Sequence, residues 1–203
     1  QERVRVADAL RGLPDLGGDW TQDQEGWLHA SAPGTSAYGA RISGHIPPGV
    51  GDPNALERYR EHKFVSGFVA TKHRTETVKR FTSLKPGKVD RVSKGVRLDP
   101  NGFCPTLRAG TGPERGSYQA VRPIHPVAPR VICTREAARL QGFPDWFQFD
   151  KTKWHSFRQI GNSVSPIVAE EVLRRIANKL IVNSAHRVQG QDSTAEAAFV
   201  ESL

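Results

Sequence analysis

The sequence predicts a mixed α+β protein: a small irregular domain with short strands, plus a separate C-terminal amphipathic helix. Three observations predict it. Long tracts rich in Gly, Pro, Ser and Asp lack any regular apolar period, and short β-branched runs are broken by turn residues. One clean four-residue apolar period then stands near the C-terminal end. A length of 203 residues suits one domain or a little more, enough to bury a core.

Residues 4–16, VRVADALRGLPDL, read as a strand or extended lead-in and then a short helix. The helix stops before Pro14, because the residue ahead of a proline is driven out of helical geometry. A loop-like tract follows to about residue 51, with Trp20 and Trp27 as its anchors in a core. Asp52-Pro53 supplies an N-cap and a first helical residue for a helix over 53–61. Residues 64–84 mix β-branched and basic side chains and fit either short strands or a strand and a helix. Lys85-Pro86-Gly87-Lys88 is a turn, and 89–98 is a strand or loop that would face Arg91, Lys94 and Arg97 outward. Residues 99–118 hold too many glycines and prolines for a regular element, a composition that suits unusual backbone angles or close approach to a ligand.

Residues 122–126, RPIHP, form an extended connection, and Val131 and Ile132 a short buried strand. Thr134 is the expected N-cap of a helix that carries Glu136 in its first turn and ends at Gly142 and Pro144. Arg135 and Arg139, four apart, share one of its faces. Trp154, His155 and Phe157 form an apolar-aromatic packing unit. In the last helix Ser165 is the cap and Pro166 the first residue; Val168, Val172, Ile176 and Leu180 recur every four residues, with Glu170-Arg174 and Glu171-Arg175 pairs opposite. That apolar stripe must bury against something. The tail 184–203 is polar and acidic and is expected to be disordered.

The net charge of +8 is unevenly spread: residues 61–108 alone carry 11 basic and 4 acidic side chains. A local basic stripe is the footprint of phosphate binding, or else a solvated lysine-rich face. Two cysteines without metal-ligand spacing fit a reducing compartment. No apolar run approaches the length of a membrane span and QERVRVADAL is not a signal peptide, so a cytoplasmic location is expected. The absence of methionine suggests a processed chain or a piece of a longer one.

The densest information lies in residues 130–166, RVICTREAARLQGFPDWFQFDKTKWHSFRQIGNSVSP. This stretch resembles the last two sequence blocks of bacterial DNA (cytosine-5)-methyltransferases, R-x-[IL]-T-x-R-E-x-A-R-L-Q-G-F-P-D and G-N-S-V-x-P. Arg130, Ile132 and Thr134 to Asp145 match the first block, and Gly161 to Val164 with Pro166 match the second. The resemblance covers residues 86–181 well and the first 80 only loosely. It implies a target-recognition (DNA-binding) domain over 1–129, C-terminal helices over 130–183 that close on a catalytic domain, and a tail. It also implies that the last helix packs on a separate Rossmann-like α/β domain carrying the glycine-rich cofactor turn and the Pro-Cys nucleophile. Both motifs are missing here: neither Cys104 nor Cys133 follows a proline, and Cys104 precedes Pro105.

Site expectations follow from the residues and the resemblance together. Thr106-Leu107 matches the family's Thr-Leu dipeptide near the flipped base, so Thr106 and Leu107 are expected at DNA. Arg91, Lys94, Arg97 and Arg108 are candidates for base readout, since arginine can hold guanine bidentately, or for phosphate contact. Asn162, Ser163 and Val164 resemble the residues that line the S-adenosylmethionine site, although Gly-Asn-Ser is also ordinary turn chemistry. Arg135, Glu136 and Arg139 are expected to be buried scaffolding. The implied partners are double-stranded DNA and a catalytic half, in trans or from the same gene. The rival readings are a non-catalytic DNA-binding module and an inactive remnant.

Overall fold

A computed structural model describes residues 3–16, 26–69, 71–109 and 122–181. The elements are α1 (Val6–Leu10), β1 (Leu28–His29), α2 (Ala37–Ser43), α3 (Pro53–His62), β2 (Phe64–Val65), α4 (Thr75–Ser83), α5 (Thr134–Gln141) and α6 (Lys153–Asn162). A further helix, α7, spans 166–181. The chain divides into two compact units, Gln1–Ser163 and Val164–Leu203. Among the described residues no helix is long and apolar enough to cross a membrane.

In the first unit β1 and β2 pair antiparallel, with Leu28 opposite Val65 and His29 opposite Phe64. Single bridges join Val89 to Val96, Arg97 to Ile124 and Ile124 to Val131. Among the described residues the sheet is small, and the core gathers on helix α5. Its Ala137 and Ala138 pack with Val6, Leu98, Ile132, Phe143, Phe157 and Ile160. Cys133, just ahead of α5, belongs to a second cluster with Leu16, Tyr59, Val65, Phe68 and Trp146.

Local sequence explains most of these elements. The Asp52 carboxylate accepts from Ala55 N at 2.9 Å and caps α3. Gly142 ends α5 with φ 87°, a left-handed conformation that a side chain resists, and Phe143 N closes back on Ala138 O. The cap of α5 differs from expectation. Cys133 is the N-cap, and Glu136 reaches back to its N–H at 2.8 Å. Thr134 is the first helical residue, and its hydroxyl hydrogen-bonds Ser156 Oγ at 2.9 Å.

The segment 64–84 resolves into β2 followed by α4. The loop-like tract before residue 51 contains β1 and also α2, whose N-terminus is closed by Ser36 Oγ accepting from Gly39 N at 3.1 Å. Helix α6 is likewise additional to the expected elements; it buries Phe157 and Ile160 and runs into the GNSVSP turn. Trp27 is half-buried under the Arg58 guanidinium at 4.7 Å. Trp20, residues 110–118 and the tail 184–203 lie outside the described residues.

In the second unit, α7 keeps the expected periods. Ala169 N donates to Ser165 O at 2.9 Å. Arg174 pairs with Glu170 and Glu171, and Arg175 pairs with Glu171 at 2.9 Å. Val168, Val172, Leu173, Ile176, Leu180 and Ile181 are exposed.

Candidate nucleic-acid interface

The frame of the site is ionic and buried. Arg130 grips the Glu136 carboxylate with two bonds of 2.8 and 2.7 Å, and Arg139 grips Asp145 with two of 2.9 and 2.7 Å. Arg139, fully buried, also donates to Arg11 O and Ser31 O, and so ties α5 to the segments around α1 and β1. Arg135 is held by carbonyls instead of a carboxylate: Ser66 O at 2.9 Å, Phe147 O at 2.7 Å and Pro144 O at 3.3 Å. Desolvation opposes the Glu136 charge, but the hydrogen bonds and charge of Arg130, then His125, outweigh it and hold the carboxyl below its ordinary range. The sequence offered Arg135, Glu136 and Arg139 without their partners. Arg130 and Asp145 stand six residues from theirs, a spacing that no helical rule flags.

The basic stripe splits into two uses of the same residue type. Arg97, expected at DNA, is corrected: it is 9% exposed. Its guanidinium donates to Phe81 O at 2.6 Å, Leu84 O at 2.9 Å, Pro126 O at 3.1 Å and Val127 O at 2.8 Å. With its donors turned inward it is a clamp between the end of α4 and the 126–127 segment, not a base reader. Arg91 and Lys94 are exposed and share one turn, which is built on the buried Asp90. Lys85 and Lys88 are exposed at its base.

Thr106 and Arg108 are exposed, whereas Leu107 is buried in the apolar cluster beside α5. The expectation that Leu107 touches DNA is therefore corrected to an anchor: its side chain pins the exposed pair on either side of it. This stretch of chain runs against Gly161. A Cβ on Gly161 would stand 2.3 Å from Ala109 N and 2.5 Å from the Arg108 carbonyl carbon, so only glycine allows the contact. The structure thus brings Arg108 and Ala109 against Gly161, the residue before Asn162, a juxtaposition across 53 residues that spacing cannot reveal.

Asn162 is exposed at the end of α6. Ser163 caps that end, its hydroxyl donating to Ile160 O at 2.7 Å and its carbonyl accepting from Gln141 Nε2 at 3.1 Å. Val164, in the second unit, is exposed. The exposed Asn162 amide can donate and accept hydrogen bonds, whereas the Ser163 hydroxyl is already committed to Ile160 O. Neither cysteine has the character of a nucleophile. Burial pushes the Cys104 thiol up to about 12 and pushes Cys133 up as well, so both stay protonated at neutral pH.

Residues 29–178 match the family model of the C-5 cytosine-specific DNA methylases. The type II methyltransferase M.XorII of Xanthomonas oryzae pv. oryzae is 41% identical over 183 residues, covering 88% of this chain and 42% of that protein. The type II methyltransferase M.AquIB of a Picosynechococcus strain is 33% identical over 129 residues, covering 55% of this chain and 86% of that protein. A crystal structure of an inferred DNA modification methyltransferase encoded within an Escherichia coli prophage aligns with a TM-score of 0.77 at 48% identity. That alignment covers 88% of this chain and 48% of the solved one. The chain therefore spans less than half the length of M.XorII and of the solved methyltransferase.

Proposed function

The chain belongs to the C-5 cytosine-specific DNA methylase family, and from that premise we propose that it is the DNA-recognition and C-terminal half of a DNA cytosine-5 methyltransferase. The observation that carries the reading is coverage: 88% of this chain aligns to 42% of one methyltransferase and to 48% of another. The 203 residues contain the two closing sequence blocks but no cysteine preceded by proline. M.AquIB, covered to 86%, is a methyltransferase chain of similarly limited extent and supports the same division.

In this reading residues 1–129 hold duplex DNA, and residues 130–183 close on a catalytic half present in cis or in trans. A cytosine must leave the base stack before its C5 can be reached, so the protein has to fix the duplex while one nucleotide is extruded. Arg91, Lys94 and Arg108 hold phosphates or base edges, and Thr106 contacts the strand near the extruded base. Asn162, Ser163 and Val164 form one wall for S-adenosylmethionine, which supplies the methyl group when bound. The buried frame of Arg135, Glu136 and Arg139 keeps these surfaces in register, and the apolar stripe of α7 packs on the α/β domain.

The test is reconstitution. The chain is mixed with a fragment bearing the nucleotide-binding and Pro-Cys half, and labelled methyl incorporation into duplex DNA is measured. Incorporation that requires both pieces supports the proposal; its absence, with both pieces folded and associated, overturns it. Asn162→Ala and Ser163→Ala should weaken cofactor binding by the pair.

A further inference from the structure

Between Gly87 and Arg97 the chain forms a short two-stranded ribbon. Gly87 N donates to Arg97 O at 2.7 Å, Arg97 N donates to Lys88 O at 2.9 Å, and Val89 bridges Val96 antiparallel. The turn is fixed from inside. Asp90, 2% exposed, accepts from Arg80 Nε at 2.7 Å, Ser93 N at 2.7 Å and Ser93 Oγ at 2.6 Å. Lys94 N donates to Asp90 O at 2.8 Å, with Lys94 in the left-handed region at φ 58°. The Arg97 clamp holds the ribbon's base to the body of the unit. A ligand meeting this tip does not have to order it first, which removes one of the main penalties of binding.

On this tip Val92 is 68% exposed, between the exposed Arg91 and Lys94. A lone exposed valine is ordinary, and a solvated turn is more often filled by Ser, Asn or Gly. Here it stands on a braced turn with cations to either side, where its aliphatic surface lies open to a ligand. The major groove of B-DNA admits a two-stranded ribbon and presents one apolar group at base-pair edges, the thymine C5-methyl.

We propose that Val92 is a specificity-determining residue: with the ribbon tip in the major groove, its branched side chain packs on the C5-methyl group of a thymine, while Arg91 and Lys94 hold adjacent phosphates. This rests on the DNA-recognition reading above.

The test selects duplexes from a random library with the full chain at low salt. Affinities of the wild type and Val92→Ala are then measured for the selected duplex with each thymine replaced in turn by uracil, which removes only the methyl group. At one thymine the replacement should weaken wild-type binding about fourfold, the worth of burying one methyl-sized group, and leave Val92→Ala binding unchanged. Arg91→Ala and Lys94→Asn should weaken all duplexes alike and lower the salt dependence; asparagine tolerates the left-handed backbone at 94. If no thymine shows the effect, or Val92→Ala keeps it, the assignment falls while DNA binding stands. A folded wild type that binds no duplex overturns the DNA-recognition reading itself, and this inference with it.

Discussion

Helix α5 carries Arg135, Glu136 and Arg139 into the core, while α7 carries Val168, Val172, Leu173, Ile176, Leu180 and Ile181 to the surface. Each inverts the usual sorting of side chains, and the two inversions have different physical meanings. Buried charge is tolerated where it is paired with opposite charge or hydrogen-bonded. For α5 the matches come from Arg130, Asp145 and the carbonyls of Arg11, Ser31, Ser66 and Phe147. An exposed aliphatic stripe has the opposite requirement, an apolar surface to cover it. The first helix has its partners within the chain, and the second is the one for which we propose a partner outside it.

The sharpest way to break this contrast is to unmatch α5. Arg139→Leu leaves Asp145 buried without its cation, and we expect a loss of about 3 to 5 kcal/mol of unfolding free energy, read from urea denaturation. A loss of under about 1 kcal/mol would show that α5 is not the frame we describe. Next comes Arg97→Lys, which preserves charge but cannot span carbonyls from two segments. It should lower stability by about 1 to 3 kcal/mol and leave the salt dependence of duplex binding unchanged. A reader of phosphate would behave the other way.

Acid should find the same frame. His73 and His125 are held below their ordinary 6.5, in both cases chiefly by burial. As pH falls below 6.5 the unfolded chain takes up these protons first, so stability declines there. Glu136, held below 4.5, stabilises the fold above that value, and its contribution is lost as pH falls through its lower folded value. Thermal midpoints should therefore be level above about 6.5, drop below it and drop again below about 4.5. His125→Asn, which keeps an acceptor for Val127 N and Ala128 N, should flatten the first decline; an unchanged profile would contradict the assignment.

The smallest expected effect on stability belongs to α7. Val172→Asp should shift the unfolding free energy of the chain by no more than about 0.5 kcal/mol, yet abolish association with the catalytic half in sedimentation. Unaltered association would mean that the stripe is not the contact.

Much of this was legible in the sequence, for reasons that differ by element. The Asp52 cap, the Gly142 stop and the period of α7 are local rules, and the structure keeps them. Helix α2 was hidden because its seven residues bury only Tyr38, Gly39 and Ile42, too short a run to show a period. Helix α6 was hidden behind its aromatic residues, which read as packing before they read as a helix. The misreadings of Arg97 and Leu107 share another cause. Residue type announces charge or apolarity, but which side faces water depends on partners such as Phe81 O and Val127 O, 16 and 30 residues away.

Hydrogen–deuterium exchange tests the contrast most directly, with residues 134–141 and 166–181 followed in the chain alone and after addition of a catalytic half that restores methylation. We predict that 134–141 is protected in both states, whereas 166–181 exchanges readily alone and becomes protected in the mixture. Unchanged exchange of 166–181 in an active mixture would contradict the account.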